Sequence, residues 1–395
     1  MGLRVNCGLL IVFLLAVLLF LRISPLKATQ AGVIVGAERT GEYFNRLKGK
    51  NIALVVNPTS RIGSVHLVDT LLRAGIKIAC VFAPEHGFRG EAEAGESVKG
   101  GTDPVSGVKV VSLYGDHKKP ADKDMAGVDL VVFDIQDVGA RFYTYISTLQ
   151  YMMEACAKSK LPLIVLDRPN PHGHYVDGPM LDTAFRSFVG MQPVPVVHGM
   201  TVGEYARMLN GEHMLENGVA CELHVVTMLN WSHSSDYSLP VAPSPNLPND
   251  YAVRLYPSLC FFEGTAVSLG RGTETPFQCF GYPGLKAGDF LFTPVSVKGK
   301  SVRPLYEGQL CNGFDLRPGV HDKRPDTLLL NYLVTAWQDY PDRKSFFNPF
   351  FDKLAGSSRL RKQIESGMSA SAIRQSWQDD LARFKKKRQA WLLYP

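Results

Sequence analysis

The sequence lacks most of the short signatures that mark out a reaction class. It has no GxxxxGK(S/T) loop, and the turn after its first apolar run reads "NPTSRIG" where a dinucleotide fold would need GxGxxG. The later "SLGRGTETP" supplies Gly270 and Gly272 but opens no helix, so no cofactor of the nucleotide class is expected. No GxSxG nucleophile elbow is present. The seven cysteines are scattered singly, without a CxxC pair or zinc-ligand spacing, and pairings among Cys221, Cys260, Cys279 and Cys311 stay open. His172 and His174 in "NPHGHYVDG" could meet Asp177, but so many turn-forming residues favour a turn, and no metal is expected. Charge of one sign is also scarce: the formal net charge is +6, and the densest basic run, "RFKKKRQ", reads as a solvated helix face, which gives no case for a nucleic-acid partner.

What is present begins with an N-terminal segment. Arg4 precedes "LLIVFLLAVLLFL", too short for a comfortable membrane span, and Pro25, Ala28 and Ala31 follow. Residues 1–30 read as a secretory signal peptide, which implies an exported protein, periplasmic or extracellular, with no other membrane association. Loss of Arg4, Arg22 and Lys27 with that segment lowers the charge to about +3.

From Asn51 onward short apolar runs alternate with helical patterns. "IALVVN", "IKIACVFA", "VKVVSLYG", "LVVFDIQ" and "LPLIVLDRP" resemble parallel strands covered on both faces. "SVHLVDTLLRAG" and "TYISTLQYMMEACAKSK" carry apolar residues at spacings of three and four, as helices do. This punctuation predicts an α/β fold with a Rossmann-like, doubly wound parallel sheet over residues 31–230. Past Arg168 prolines multiply, and a helix "TVGEYARMLNGE" leads to a further strand, "CELHVVTM". Residues 231–395 read as a smaller α+β C-terminal domain with strand-like runs "FFEGTAVS", "FTPVSV" and "LCNGFDL", then helices "PDTLLLNYLVTAWQDY" and "SAIRQSWQDDLARFKKKRQAW".

In open parallel sheets ligands bind beyond the carboxyl ends of the strands. Those positions hold Asn57 to Ser60, then Pro84, Glu85 and His86, then Asp134, Gln136, Asp137 and Arg141, then Asp167, Arg168 and Asn170, then His198. Singly each has a structural reading: Asn57 and Asp137 as caps, Asp134 bonding backbone amides, Arg168 paired with Asp167. Together they describe a site of carboxylates, histidine, arginine, asparagine and aromatics, which suits sugar chemistry: one carboxyl group protonates a glycosidic oxygen and a second group serves the anomeric carbon or its water. Glu85 is the candidate acid, because it follows an apolar strand directly and partial desolvation favours its protonated form.

The segments "APEHGFRGEAEAGE", "FDIQDVGARFYTY", "LDRPNPHG", "VDGPMLD", "PVPVVHGMTVGEYARM", "PSPNLP" and "FFEGTAVSLGRGTETPF" resemble, in order and over nearly the whole chain, the exo-β-N-acetylmuramidases, secreted glycoside hydrolases formerly known as a domain of unknown function. The resemblance implies a cleft between the two domains, release of N-acetylmuramic acid from the non-reducing ends of peptidoglycan fragments, and no nucleotide or metal. It implies Glu85 as acid/base, and puts His86, Asp134, Gln136, Asp137, Arg141, Tyr143, Asp167, Arg168, Asn170, His198, Glu263 and Arg271 in the cleft. Asp134, Asp137 and Glu263 are the candidates for a second catalytic group, with retention or inversion left open. The lactyl carboxylate of such a sugar calls for a guanidinium, from Arg141 or Arg271, with Arg168 steadying the acid. A periplasmic sugar-binding protein without turnover is the rival reading.

Overall fold

The computed structural model describes residues 32–85, 87–89, 100–320 and 323–395. The proposed signal segment and His86 lie outside the described residues. Residues 34–395 form one contact unit.

The strands, in chain order, are β1 (Asn51–Val56), β2 (Arg61–Ile62), β3 (Val65–His66), β4 (Lys77–Ala83), β5 (Gly101–Thr102), β6 (Lys109–Ser112), β7 (Leu130–Asp134), β8 (Leu163–Leu166), β9 (Leu223–Val226), β10 (Cys279–Tyr282), β11 (Phe290–Phe292) and β12 (Cys311–Asp315). Seven make one sheet in the order β5-β6-β4-β1-β7-β8-β9, with only the edge pair β5-β6 antiparallel. The six parallel strands, counted along the chain, stand in the order 3-2-1-4-5-6, the doubly wound arrangement the apolar runs predict. β7 and β8 are buried at every residue, as a strand covered on both faces must be. β5 is too short and polar to show in the sequence.

Alternate residues of the sheet, Ala53, Val55, Val131, Phe133 and Val165, pack with Leu149, Met152 and Met153 of the helix Tyr145–Ser159 and with Tyr205 and Leu209 of the helix Val202–Gly211. The second helix starts at a capping box: Thr201 Oγ1 accepts from Glu204 N at 3.2 Å, and Glu204 Oε2 accepts from Thr201 N at 2.8 Å. The same apolar cluster continues into Leu333 and Trp337 of the helix Leu330–Asp339 and on to Leu354, Ile373 and Leu381. Fully burying side chains of this size contributes roughly 1.5–3 kcal/mol each, so the C-terminal helices are held by the same force as the sheet.

The C-terminal part carries an antiparallel sheet, β10-β12-β11. Two local expectations are corrected. "FFEGTAVS" begins as a 3-10 turn, Cys260–Gly264, continuing the helix Asp250–Leu259, because adjacent Phe261 and Phe262 both enter the core, against Phe142 and Phe280, where a strand would send them to opposite faces. The last predicted helix breaks in two, Ala370–Gln375 and Gln378–Arg388. No helix among the described residues is long and apolar enough to cross a membrane.

Candidate active site

The strand order places the topological switch between β1 and β7, where a dinucleotide fold opens its crevice. Here the chain fills that crevice with its own polar groups. Ser60 Oγ donates to the Asp134 carbonyl, and Gln136 N donates to Thr59 Oγ1 at 3.0 Å. Arg168 donates from Nε to Asp134 Oδ1 at 2.6 Å and from Nη2 to Asp134 Oδ2 at 2.9 Å, with the Asp134 side chain fully buried. Arg168 therefore takes Asp134 as its ion partner, where the sequence had suggested Asp167.

Asp167 is satisfied differently. Its Oδ2 accepts from Thr201 Oγ1 and from the Tyr394 hydroxyl, each at 2.7 Å, and its Oδ1 from Gly203 N at 2.9 Å. Burial pushes its carboxyl up to about 6 against these hydrogen bonds. Gln136 Nε2 donates to the carbonyls of Asp137 and Pro169 at 2.8 and 2.7 Å, and Asn170 Nδ2 donates to the Met200 carbonyl at 2.8 Å. The ring of His198 is buried and pushed down to about 3, and its Nδ1 accepts from Met200 N at 3.2 Å. These groups tie the loops after β7 and β8 to one another beneath the surface.

Asp137 and Arg141 join this interior set. Asp137 Oδ1 accepts from Gly139 N at 2.6 Å, and burial raises its carboxyl to about 7. Arg141 spends Nη1 on the carbonyls of Pro179 and Val194 and Nη2 on that of Leu354, at 2.7 to 2.9 Å, with the residue 1% exposed. It fastens the turn at Leu354 to the loops around Pro179 and Val194. Arg141, Asp134 and Asp137 do not line the cavity described next.

That cavity, of about 200 Å3, is lined by Glu85, Tyr143, Glu263 and Arg271 from the expected set. Thr144, Tyr145, Ser244, Asn246, Tyr256 and Phe277 complete much of its wall. Glu85 stands two residues past β4, and Thr144 Oγ1, at the start of the helix Tyr145–Ser159, donates to its Oε2 at 3.3 Å. Burial pushes the Tyr143 and Tyr145 hydroxyls well up, so both remain donors, and Tyr143 donates to the Pro243 carbonyl at 2.7 Å. From the other side Arg271 engages Glu263 Oε1 through Nε, at 3.0 Å, and through Nη2, and its guanidinium carbon lies 5.0 Å from the centre of the Phe277 ring. Glu263 and Arg271 are 26% and 30% exposed, which leaves both within reach of a ligand.

The glycines flanking Arg271 find their use here. Gly270 and Gly272 have φ of 69° and 80°, and a Cβ would lie 2.5 Å from Cys279 Sγ at the first and 2.4 Å from the Val295 carbonyl oxygen at the second. "SLGRGTETP" is thus a tight turn that aims a guanidinium. His172, His174 and Asp177 bond to the protein itself: His172 Nδ1 to the Val138 carbonyl, His174 Nε2 to that of Pro325, Asp177 to Leu328 N and Trp377 Nε1. Among the described residues no group of three or more His, Cys, Asp or Glu is arranged to hold a metal ion.

Two family models, the N-terminal and C-terminal parts of exo-β-N-acetylmuramidase NamZ, match residues 52–251 and 254–394. The chain belongs to this muramidase family. Peptidoglycan β-N-acetylmuramidase NamZ of Bacillus subtilis (strain 168) is 40% identical over 372 residues, 89% of each chain. A crystal structure of a DUF1343 family protein from Bacteroides fragilis NCTC 9343 shares 44% identity and superposes with a TM-score of 0.85 over 92% of this chain and 99% of that one. A second from the same source shares 28% identity, with a TM-score of 0.80 over the same shares. In this member of the NamZ family, Thr144, Ser244 and Asn246 are wall residues that side-chain chemistry alone did not single out. They lie in "RFYTY" and "PSPNLP", where proximity in sequence to Tyr143 and the excess of proline were the available signals.

Proposed function

We propose that this chain is an exported, exo-acting glycoside hydrolase that releases N-acetylmuramic acid from the non-reducing ends of peptidoglycan fragments, with Glu85 as general acid and then general base. The observation that carries the reading is the meeting of Glu85 and the Glu263–Arg271 pair in one small cavity. At about 200 Å3 it lies below the roughly 300–1,000 Å3 of a site for a drug-sized ligand and is of the scale of one sugar, as an exo-acting enzyme requires.

Glu263 occupies the Nε and Nη2 of Arg271 and leaves Nη1 for the lactyl carboxylate. Of the two carboxylates among the described lining residues, Glu263 is thus committed and Glu85 does the proton chemistry. Glu85 donates its proton to the glycosidic oxygen as the bond to C1 breaks, and the carbonyl oxygen of the substrate's own acetamido group closes on C1. Water then opens that ring at C1 while Glu85 takes a proton from it, so the configuration is retained. Turnover of a chromogenic β-glycoside of N-acetylmuramic acid tests the activity: Glu85→Gln should lose roughly 10²–10⁴-fold in kcat with its fold intact. Full activity in that variant, or inversion seen by NMR of the first-formed sugar, overturns the assignment.

A further inference from the structure

A second cavity, of about 760 Å3, runs alongside the first. The two share supports. The helix Tyr145–Ser159 gives Tyr145 to the catalytic cavity and Gln150, Tyr151 and Glu154 to the neighbouring groove; Tyr151 is six residues on, roughly 9 Å along the axis. A tight turn closed by the Ser187–Gly190 bridge separates them, with Val189 lining the catalytic side and Phe188 the groove. Ser147 Oγ donates to the Phe188 carbonyl at 2.7 Å and pins the turn to the helix.

The groove is braced by side-chain contacts, and its lining charges balance. The rings of Tyr151 and Phe188 stack at 5.9 Å with 20° between their planes, and Lys118 Nζ lies 5.1 Å from the centre of the Phe188 ring. Below them Gln192 Nε2 donates to Gln150 Oε1, and Gln150 Nε2 to Glu154 Oε1, each at 3.0 Å. Lys119 is neutralised between Glu154, at 2.7 Å, and Glu216, at 2.5 Å. What remains at the rim is mixed: Lys118 and Arg186 against Asp116. A polyanion or polycation would meet opposed charge there, whereas a saccharide bearing mainly hydroxyls and acetamides, with a carboxylate only on alternate sugars, finds donors and acceptors fixed beside aromatic edges.

We infer that this groove binds the saccharide chain on the leaving-group side of the scissile bond, so that the N-acetylglucosamine after the sugar cleaved passes over the turn at Phe188 and Val189 and the next, a muramic acid, lies against Tyr151 with its lactyl carboxylate toward Lys118 and Arg186. The inference rests on the proposed hydrolysis, which supplies the bond position. It is tested by comparing kcat/KM for the chromogenic monosaccharide glycoside with that for peptide-free peptidoglycan saccharides of two, four and six sugars, in the wild type and in Lys118→Ala/Arg186→Ala. The wild type should gain about tenfold or more with length, and the variant should lose that gain while turning over the monosaccharide glycoside within about twofold of wild type. Calorimetric titration of the tetrasaccharide into Glu85→Gln, with and without the two groove substitutions, should show the same loss as a weakened Kd. A flat length series, a gain confined to peptide-bearing fragments, or equal loss on both substrate types overturns the groove assignment while leaving the hydrolase reading standing. No wild-type turnover of the monosaccharide glycoside or of any saccharide overturns the hydrolase reading and this inference with it.

Discussion

Arg168 grips both oxygens of Asp134 at a depth where the carboxylate meets no solvent. In most doubly wound sheets this position, at the carboxyl end of the strand across the switch from β1, faces a ligand. Here it is closed, and under our proposal the chemistry lies one strand over, at Glu85 beyond β4.

The pair is expected to be worth most when one member is missing. Asp134→Asn strands a buried guanidinium and should destabilise the protein by about 3–5 kcal/mol, read from urea unfolding midpoints. Asp134→Leu combined with Arg168→Met should recover much of that loss. Additive costs for the two sites would show that they do not act as a unit.

A second expectation concerns pH. The carboxyls of Asp137 and Asp167 are raised by burial to about 7 and about 6, so between the ordinary carboxylate value and those pKa values the folded state holds protons that the unfolded state has released. Their contribution to stability is full at the acidic end of that window and is lost as pH rises through it. His198 and His172, held neutral by burial with values near 3 and 4, oppose them, adding stability as pH rises toward the ordinary histidine value. Asp137→Asn isolates the acid term. The wild type minus variant difference in unfolding free energy should fall from pH 5 to pH 7.5 by at most about 1.4 kcal/mol per pH unit; a difference that rises instead contradicts the raised carboxyl.

The Arg271 turn should control which sugar is accepted. Arg271→Gln is expected to erase most of the preference for muramic acid over N-acetylglucosamine glycosides, about 10–100-fold for a charged hydrogen bond of roughly 1.5–3 kcal/mol. Gly270→Ala, strained by its positive φ and crowded against Cys279, should produce a similar loss through misplacement of the guanidinium, chiefly in KM. Unchanged selectivity in both variants would remove Arg271 from sugar recognition.

Thr144→Val tests the hydroxyl that reaches Glu85. At 3.3 Å the bond is long, and its loss should cost about tenfold or less in kcat with little change in KM. A loss as large as that of Glu85→Gln would mean that Thr144 itself takes part in proton transfer.

The parallel sheet was legible because strands buried on both faces are continuous apolar runs, and "LVVFD" or "LPLIVL" admit few other readings. The polar groups after those strands were harder to read. A carboxylate closing a strand looks the same in one dimension whether it meets a substrate, as Glu85 does under our proposal, or an internal partner, as Asp134 does. The partner that decides, Arg168, is 34 residues away along the chain. Arg141 is hard to read for the same reason: one of its contacts, the Leu354 carbonyl, is 213 residues distant. Glu263 and Arg271 came from the family resemblance, both inside "FFEGTAVSLGRGTETPF", and their ion pair spans only eight residues.

Asp167 directly follows β8, beside the edge strand β9, and one of its hydrogen bonds comes from Tyr394, 227 residues further along the chain. While the polypeptide is still being made, that carboxyl group has no Tyr394 to meet. The rim above β8 therefore closes only once Tyr394 has been made, and a chain that stops before Tyr394 should fold with a buried carboxyl group and one of its donors absent.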